Sequence, residues 1–230
     1  MAEPSSDDPG AGTVSRETLT APDPAVAAEV FPPARLGLLE RYAGMLATDG
    51  VVRGLMGPRE VPRLWDRHLI NCGLLAPLIP EAATVADLGS GAGLPGLVLA
   101  IGRPDLQVTL VEPMARRVRF LDEACRRLEL PHVEVVRGRA EEWADRRRFR
   151  VVTARALAPL GRLVDWAVPL LADDGVLLAM KGASAAAEID DAGEQLRKWR
   201  VTAEVVTSSV PGASAATVVR VARRRAPGIG

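Results

Sequence analysis

Apolar residues keep two different rhythms along this chain. From Ala83 onward, short runs rich in valine and leucine at Thr84 to Leu88, Gln107 to Glu112, His132 to Val136, Phe149 to Thr153 and Gly175 to Met180 alternate with loop or helical segments. Such repetition predicts a twisted, mainly parallel sheet covered by helices. After the second run, Met114, Val118, Leu121, Cys125 and Leu128 form an apolar stripe at helical spacing, while Arg116, Arg117, Arg126 and Arg127 point toward water. Val201 to Ser209 and Ala216 to Ala222 are strand-like and are joined by the turn-rich Pro211-Gly212-Ala213-Ser214, which predicts a terminal antiparallel pair.

The rhythm ahead of the sheet is helical. Leu36, Leu39, Tyr42 and Leu46 predict an amphipathic helix, and a second is expected from about Glu60 to Leu75, with Val61, Leu64, His68, Leu69 and Cys72 near one broad face. Together they make a cap over residues 34–76. Trp65, between apolar neighbours, is expected in the core. Met1 to Pro24 is rich in Pro, Ser, Thr, Gly and Asp with no sustained apolar period, which predicts a disordered tail. The tail is counted as residues 1–30 and a single domain as residues 31–225.

Composition narrows the class. With 230 residues, 48% of them hydrophobic, the chain can bury one sizeable core. Acidic and basic side chains balance at 29 each, so bulk charge does not announce a nucleic-acid partner, and only local patches can. Cys72 and Cys125 lie far apart and match no metal spacing, so reduced structural thiols and no metal site are expected. The apolar run from Leu94 to Ile101 is too short to span a bilayer, and a soluble, cytoplasmic protein is expected.

The densest chemistry lies in Val85-Ala86-Asp87-Leu88-Gly89-Ser90-Gly91-Ala92-Gly93-Leu94-Pro95-Gly96. Glycines there permit a tight strand-to-helix turn and close approach of a ligand to the backbone. Read from Gly91, the segment also fits the dinucleotide fingerprint G-x-G-x-x-G, which by itself does not choose a cofactor. Asp87 makes it D-x-G-x-G-x-G, and a carboxylate there suits the ammonium group of S-adenosylmethionine, directly or through water. Glu112, at the end of the second strand, suits both ribose hydroxyls, a role shared with NAD enzymes. Arg139-Ala140-Glu141 follows the third strand, where backbone groups can recognise an adenine edge and Ala140 leaves room for the ring. The antiparallel ending favours a methyltransferase-like sheet over a second dinucleotide-binding half.

Several blocks together resemble the RsmG, or GidB, family of bacterial small-subunit ribosomal RNA guanine-N7 methyltransferases. They are Leu64-Trp65-Asp66-Arg67-His68-Leu69-Ile70-Asn71-Cys72, the Asp87 to Gly96 loop, Arg117-Val118-Arg119-Phe120-Leu121, Arg139-Ala140-Glu141-Glu142, Thr153-Ala154-Arg155-Ala156 and Lys181-Gly182. The resemblance spans roughly Pro33 to Arg223. It implies a class I, Rossmann-like α/β fold with a mainly parallel seven-stranded sheet, terminal antiparallel strands and a helical cap. It further implies S-adenosylmethionine as methyl donor, N7 of a guanine near the decoding site of 16S ribosomal RNA as acceptor, and a link between loss of the modification and low-level streptomycin resistance.

On this reading the cofactor positions are Asp87, Gly89, Ser90, Gly91, Gly93, Leu94, Glu112, Ala140, Glu141 and Arg155. Arg59, Arg63 and Arg67 recur at intervals of four and form a positive ridge on a helix; with Arg116, Arg117, Arg119 and Lys181 they are the expected RNA contacts. Phosphate contacts of this kind position RNA without reading its sequence. Arg146, Arg147 and Arg148 read as ordinary surface. Guanine N7 carries a free lone pair, so no general base is assigned; His68, Arg155 and Lys181 are positioning candidates. The chain has Gly54-Leu55-Met56 where many relatives carry Asn-Leu-Thr, which removes those side chains' hydrogen bonds. The expected partner is 16S ribosomal RNA or the small subunit, bound by a monomer. Competing readings are a dinucleotide-dependent oxidoreductase, a methyltransferase for a small molecule or protein, and a noncatalytic RNA-binding module.

Overall fold

Strands form where the valine-rich runs predict them. The computed structural model describes residues 22–144 and 146–223. Its strands are β1 (Thr84–Leu88), β2 (Gln107–Glu112), β3 (Val133–Arg137), β4 (Phe149–Arg155), β5 (Leu171–Lys181), β6 (Val201–Ser208) and β7 (Ala216–Arg223). They make one seven-stranded sheet in the order β3-β2-β1-β4-β5-β7-β6. In it β1, β2, β4 and much of β5 and β7 are buried, while the edge strands β3 and β6 stay partly exposed. The first five strands pair in parallel, and β7 runs antiparallel between β5 and β6. The central strand β1 lies where chain order reverses, the place at which open α/β sheets hold ligands beyond their strand ends.

Side chains alternate between two cores, as strand pleating requires. Val85, Val108, Leu110 and Val151 face one apolar cluster, shared with α2 (Pro33–Met45), α4 (Gly96–Gly102) and α5 (Ala115–Arg127). Ala86, Val111, Val152 and Leu177 face the other, with α6 (Leu160–Ala167), α7 (Ala185–Asp191) and α8 (Gly193–Lys198). On α5 the buried stripe is Phe120, Leu121 and Ala124, followed by Leu128, while Met114 is 44% exposed at the helix entrance. The stripe therefore sits slightly round the helix from the predicted one.

Two expectations at the amino-terminal end are corrected. The tail counted to residue 30 contains a helix, α1 (Pro24–Val30), capped by the Asp23 carboxylate on the Ala25 N–H at 2.9 Å and anchored by buried Val26 and Ala27. The part of the tail before residue 22 lies outside the described residues. The continuous helix expected from Glu60 to Leu75 is instead a 3₁₀ segment at Pro58–Arg63, a π-helical turn at Trp65–Ile70 and a short α3 (Asn71–Gly73). Pro62 has no N–H to donate and interrupts α-helical bonding. Arg59, Arg63 and Arg67 are exposed, but the change of helical pitch between the first two and the third removes the single ridge. Trp65 is buried in the core. Among the described residues no helix is long and apolar enough to cross a membrane.

Candidate active site

The loop between β1 and α4 has Gly89, Gly91 and Gly93 at positive φ. At Gly91, φ is 59° and an added Cβ would meet only the Gly89 carbonyl at 3.7 Å, so its α-carbon faces open space. Gly96 serves packing: a Cβ there would stand 2.3 Å from Leu110 Cδ2 and 2.7 Å from Asp87 Oδ2. The start of α4 can therefore lie directly on the sheet.

Asp87 organises this turn from beneath. Its Oδ2 accepts the Gly96 N–H at 3.1 Å, its Oδ1 accepts the Thr153 hydroxyl at 3.0 Å, and the Ser90 hydroxyl donates to its backbone carbonyl at 2.8 Å. The residue is fully buried. Burial pushes its pKa up to about 7, against the pull of the Thr153 and Gly96 bonds. Each oxygen thus accepts one bond inside the protein and keeps a second lone pair.

Glu112 holds the loop from the side. Its Oε2 accepts the Gly91 N–H at 3.0 Å and its Oε1 the Met114 N–H at 2.9 Å, with Arg117 3.6 Å from Oε2. The loop and the end of β2 are thereby set as one unit. Beside them opens a cavity of about 200 Å³, lined by Gly89, Val111, Pro113, Ala140, Glu141 and Leu157 among others. Ala140 is buried on its floor and Glu141 is exposed at its rim. Asp87, Ser90, Gly91, Gly93, Leu94 and Glu112 lie beside this cavity on the loop and the end of the neighbouring strands and do not line it.

A second cleft of about 600 Å³ lies on the other side of the segment after β4, with Ala156 in its wall and Leu157 in that of the first cavity. It gathers His68, Arg155 and Lys181, the three positioning candidates. Arg155 donates to His68 Nδ1 at 2.7 Å, to the Arg67 carbonyl at 3.1 Å and to Cys72 Sγ at 3.3 Å. A guanidinium only donates, so Nδ1 accepts and the ring proton sits on Nε2, which donates to Glu60 Oε2 at 3.1 Å. Burial, and then the nearby Arg155 charge, hold the His68 pKa below its usual value. A neutral imidazole with both nitrogens engaged is a strut, not a free base.

Lys181 lines the same cleft, yet its ammonium points to protein acceptors: the Ala158 carbonyl at 2.8 Å and Glu188 Oε2 at 2.6 Å, leaving the side chain 10% exposed. Arg116 and Arg119 stand on α5 around a separate depression with Arg53 and Arg126, away from the Arg155 cleft. The expected RNA residues thus fall on two surfaces. Tyr42, Glu60, Thr153 and Glu188 escaped the sequence reading as site residues. Only Tyr42, a lone hydroxyl on an otherwise aliphatic stripe, carried a signal that could have found it.

Known proteins match this chain in sequence and in fold. The family described as GidB, rRNA small subunit methyltransferase G, matches residues 35–216. A "Ribosomal RNA small subunit methyltransferase G" from Nocardioides sp. is 62% identical, covering 81% of this chain and 74% of that protein. The protein of the same name from Streptomyces avermitilis is 50% identical over 90% of this chain and 88% of its own length. Among solved structures, the mitomycin 7-O-methyltransferase MmcR superposes with a TM-score of 0.57 at 17% identity, over 80% of this chain and 60% of that one. A ribosomal protein L11 methylase from Lactobacillus delbrueckii subsp. bulgaricus gives 0.55 at 15% identity, over 69% and 79%. These structural likenesses establish the methyltransferase fold, and the sequence matches establish the family: the chain belongs to the GidB, or rRNA small subunit methyltransferase G, family.

Proposed function

We propose that this protein transfers the methyl group of S-adenosylmethionine to N7 of one guanine near the decoding site of 16S ribosomal RNA. The observation that carries the reading is the meeting of two unlike cavities across the Ala156–Leu157 segment, at the strand-end edge of a methyltransferase sheet. One is apolar and shaped beside a glycine turn; the other is polar and bordered by Arg155. Family membership weighs against the oxidoreductase and noncatalytic RNA-binding readings.

The residues present fit the donor. The open α-carbon of Gly91 and the ordered carboxylate of Glu112 suit a ribose, and the slot between Ala140 and Leu157 suits a flat base. When bound, S-adenosylmethionine supplies an electrophilic methyl on a sulfonium. Glu112 keeps Gly91 in place and adds acceptor capacity for the ribose hydroxyls. Asp87 holds the turn from below and, like Glu112, keeps acceptor capacity, here for the donor's ammonium, directly or through water.

Guanine N7 presents its lone pair without first losing a proton. That pair forms the nitrogen–carbon bond as the sulfur–carbon bond breaks and its electrons stay on sulfur. The protein's task is therefore alignment and exclusion of water rather than proton removal. Arg155, fixed by His68, orients the acceptor in the cleft, and exposed Arg59, Arg63, Arg67, Arg116 and Arg119 contact phosphates. The protein acts as a monomer in the cytoplasm, with 16S ribosomal RNA or the small subunit as its partner.

The test is transfer from donor carrying a labelled methyl to naked 16S RNA and to small subunits from a strain lacking the modification, followed by nuclease and mass mapping. One methyl at N7 of one guanine is expected. Labelling of an exocyclic nitrogen or ribose oxygen, or of no ribosomal RNA at all, would overturn the reading.

A further inference from the structure

The loop from β4 to α6 is clamped at both ends by charged side chains. At its start Arg155 is fixed by His68, the Arg67 carbonyl and Cys72. At its far end Lys181 holds the Ala158 carbonyl, while Glu188 accepts from Lys181 and from the Leu160 N–H at 3.0 Å. Between the clamps Ala156 has a φ of 50°, the left-handed region that alanine rarely enters. Strain of this kind persists only where the surroundings impose it.

Leu157 is what this constrained backbone presents. It is 37% exposed, one of few large apolar side chains so placed among the described residues. It also lies against the glycine turn: a Cβ on Gly89 would stand 2.5 Å from Leu157 Cδ1. Leu157 lines the apolar cavity, and its neighbour Ala156 lines the polar cleft. The backbone between them is the common wall.

We propose that Leu157 is a positioning residue for methyl transfer, forming the apolar wall between donor pocket and acceptor cleft and setting how the acceptor base meets the donor methyl. This rests on the donor and acceptor assignments above. An in-line displacement tolerates little misplacement, and a side chain without polar atoms neither competes for the acceptor nor carries water to it. Arg155, Lys181 and Glu188 act through the wall by holding its ends. Exposure leaves Leu157 little part in the folding core.

Leu157→Ala and Leu157→Met, made in the full chain, test the assignment with four measurements: thermal midpoint, affinity for S-adenosylhomocysteine, affinity for unmethylated small subunits, and single-turnover rate at saturating RNA and donor. For Leu157→Ala the thermal midpoint and subunit affinity are expected to stay at wild-type values, while S-adenosylhomocysteine binds several-fold more weakly. The single-turnover rate is expected to fall about 10- to 100-fold, the sensitivity typical of lost alignment. Leu157→Met, similar in volume, restores most of both losses. Wild-type rate and wild-type S-adenosylhomocysteine affinity in Leu157→Ala would overturn the proposal, as would losses that track a lowered thermal midpoint in both variants. A wild-type protein that methylates no ribosomal RNA defeats the proposed function instead, and the S-adenosylhomocysteine titration then still decides whether Leu157 walls the pocket.

Discussion

The hydroxyl of Tyr42, on α2, donates to the carbonyl of Ala92 in the glycine turn at 2.6 Å, with the tyrosine wholly buried. A helix that precedes the sheet thus grips the turn that follows β1. Burial raises the phenol well above its ordinary pKa, so the donor proton stays in place across the working range of pH. Tyr42→Phe keeps the ring but leaves the Ala92 carbonyl unpaired, a loss of about 1 to 3 kcal/mol. We expect a lower midpoint in thermal or urea unfolding and weaker S-adenosylhomocysteine binding. Retention of both would mean that the contact contributes nothing.

Glu112→Gln replaces one acceptor oxygen by an NH₂ group that must face either the Gly91 N–H or the Met114 N–H. One bond becomes a donor–donor contact. The expected result is donor affinity weakened by about 1 to 3 kcal/mol, the range for a lost charge-assisted hydrogen bond, for S-adenosylmethionine and S-adenosylhomocysteine alike. Titration calorimetry on the folded variant decides it; equal affinities would reject the role.

Asp87 gives a pH dependence whose sign is definite. Its pKa is raised by burial from the ordinary carboxylate value to about 7, so the folded state holds a proton that the unfolded state releases near pH 4. The corresponding stability is fully present below about pH 4 and is lost as pH rises through about 7. Relative to Asp87→Asn, the wild type is therefore expected to lose unfolding free energy, on the order of a few kcal/mol, between pH 5 and pH 8 in urea titrations. A difference that does not change with pH contradicts it.

His68→Gln offers a contrasting pH experiment. Since neither imidazole nitrogen is free, the variant loosens Arg155 and lowers the rate of transfer without removing any ionisation from it. Single-turnover profiles of wild type and variant should keep the same shape around neutral pH. Disappearance of a neutral-range ionisation together with a large fall in rate identifies His68 as a base.

What could be read from the sequence was mostly local. The seven strands follow from apolar runs that each carry their own signal, and the glycine turn with Asp87 lies within a dozen consecutive residues. The break at Pro62 was equally local, but the helical spacing of Leu64, His68 and Cys72 concealed it. The last turn before the domain, α1, was hidden by the proline-rich composition around it. The Glu60–His68–Arg155 strut joins the pre-sheet segment to the end of β4, and Lys181–Glu188 joins β5 to α7; pairings across such distances leave no spacing to detect. The bonds of Lys181 to the Ala158 carbonyl and to Glu188 accordingly have no signal in the sequence around it.

The placement of β7 orders how the molecule can be made. β6 touches the rest of the sheet only through β7, which pairs with β5 on one side and β6 on the other. The later of the two strands therefore carries the contact with β5, and the earlier one is joined to the sheet through it. Lys181 and Met180 on β5 have their partners, Thr217 and Val218, on β7. Until β7 pairs with it, β5 is an unpaired sheet edge, the kind of edge open to pairing with a wrong strand.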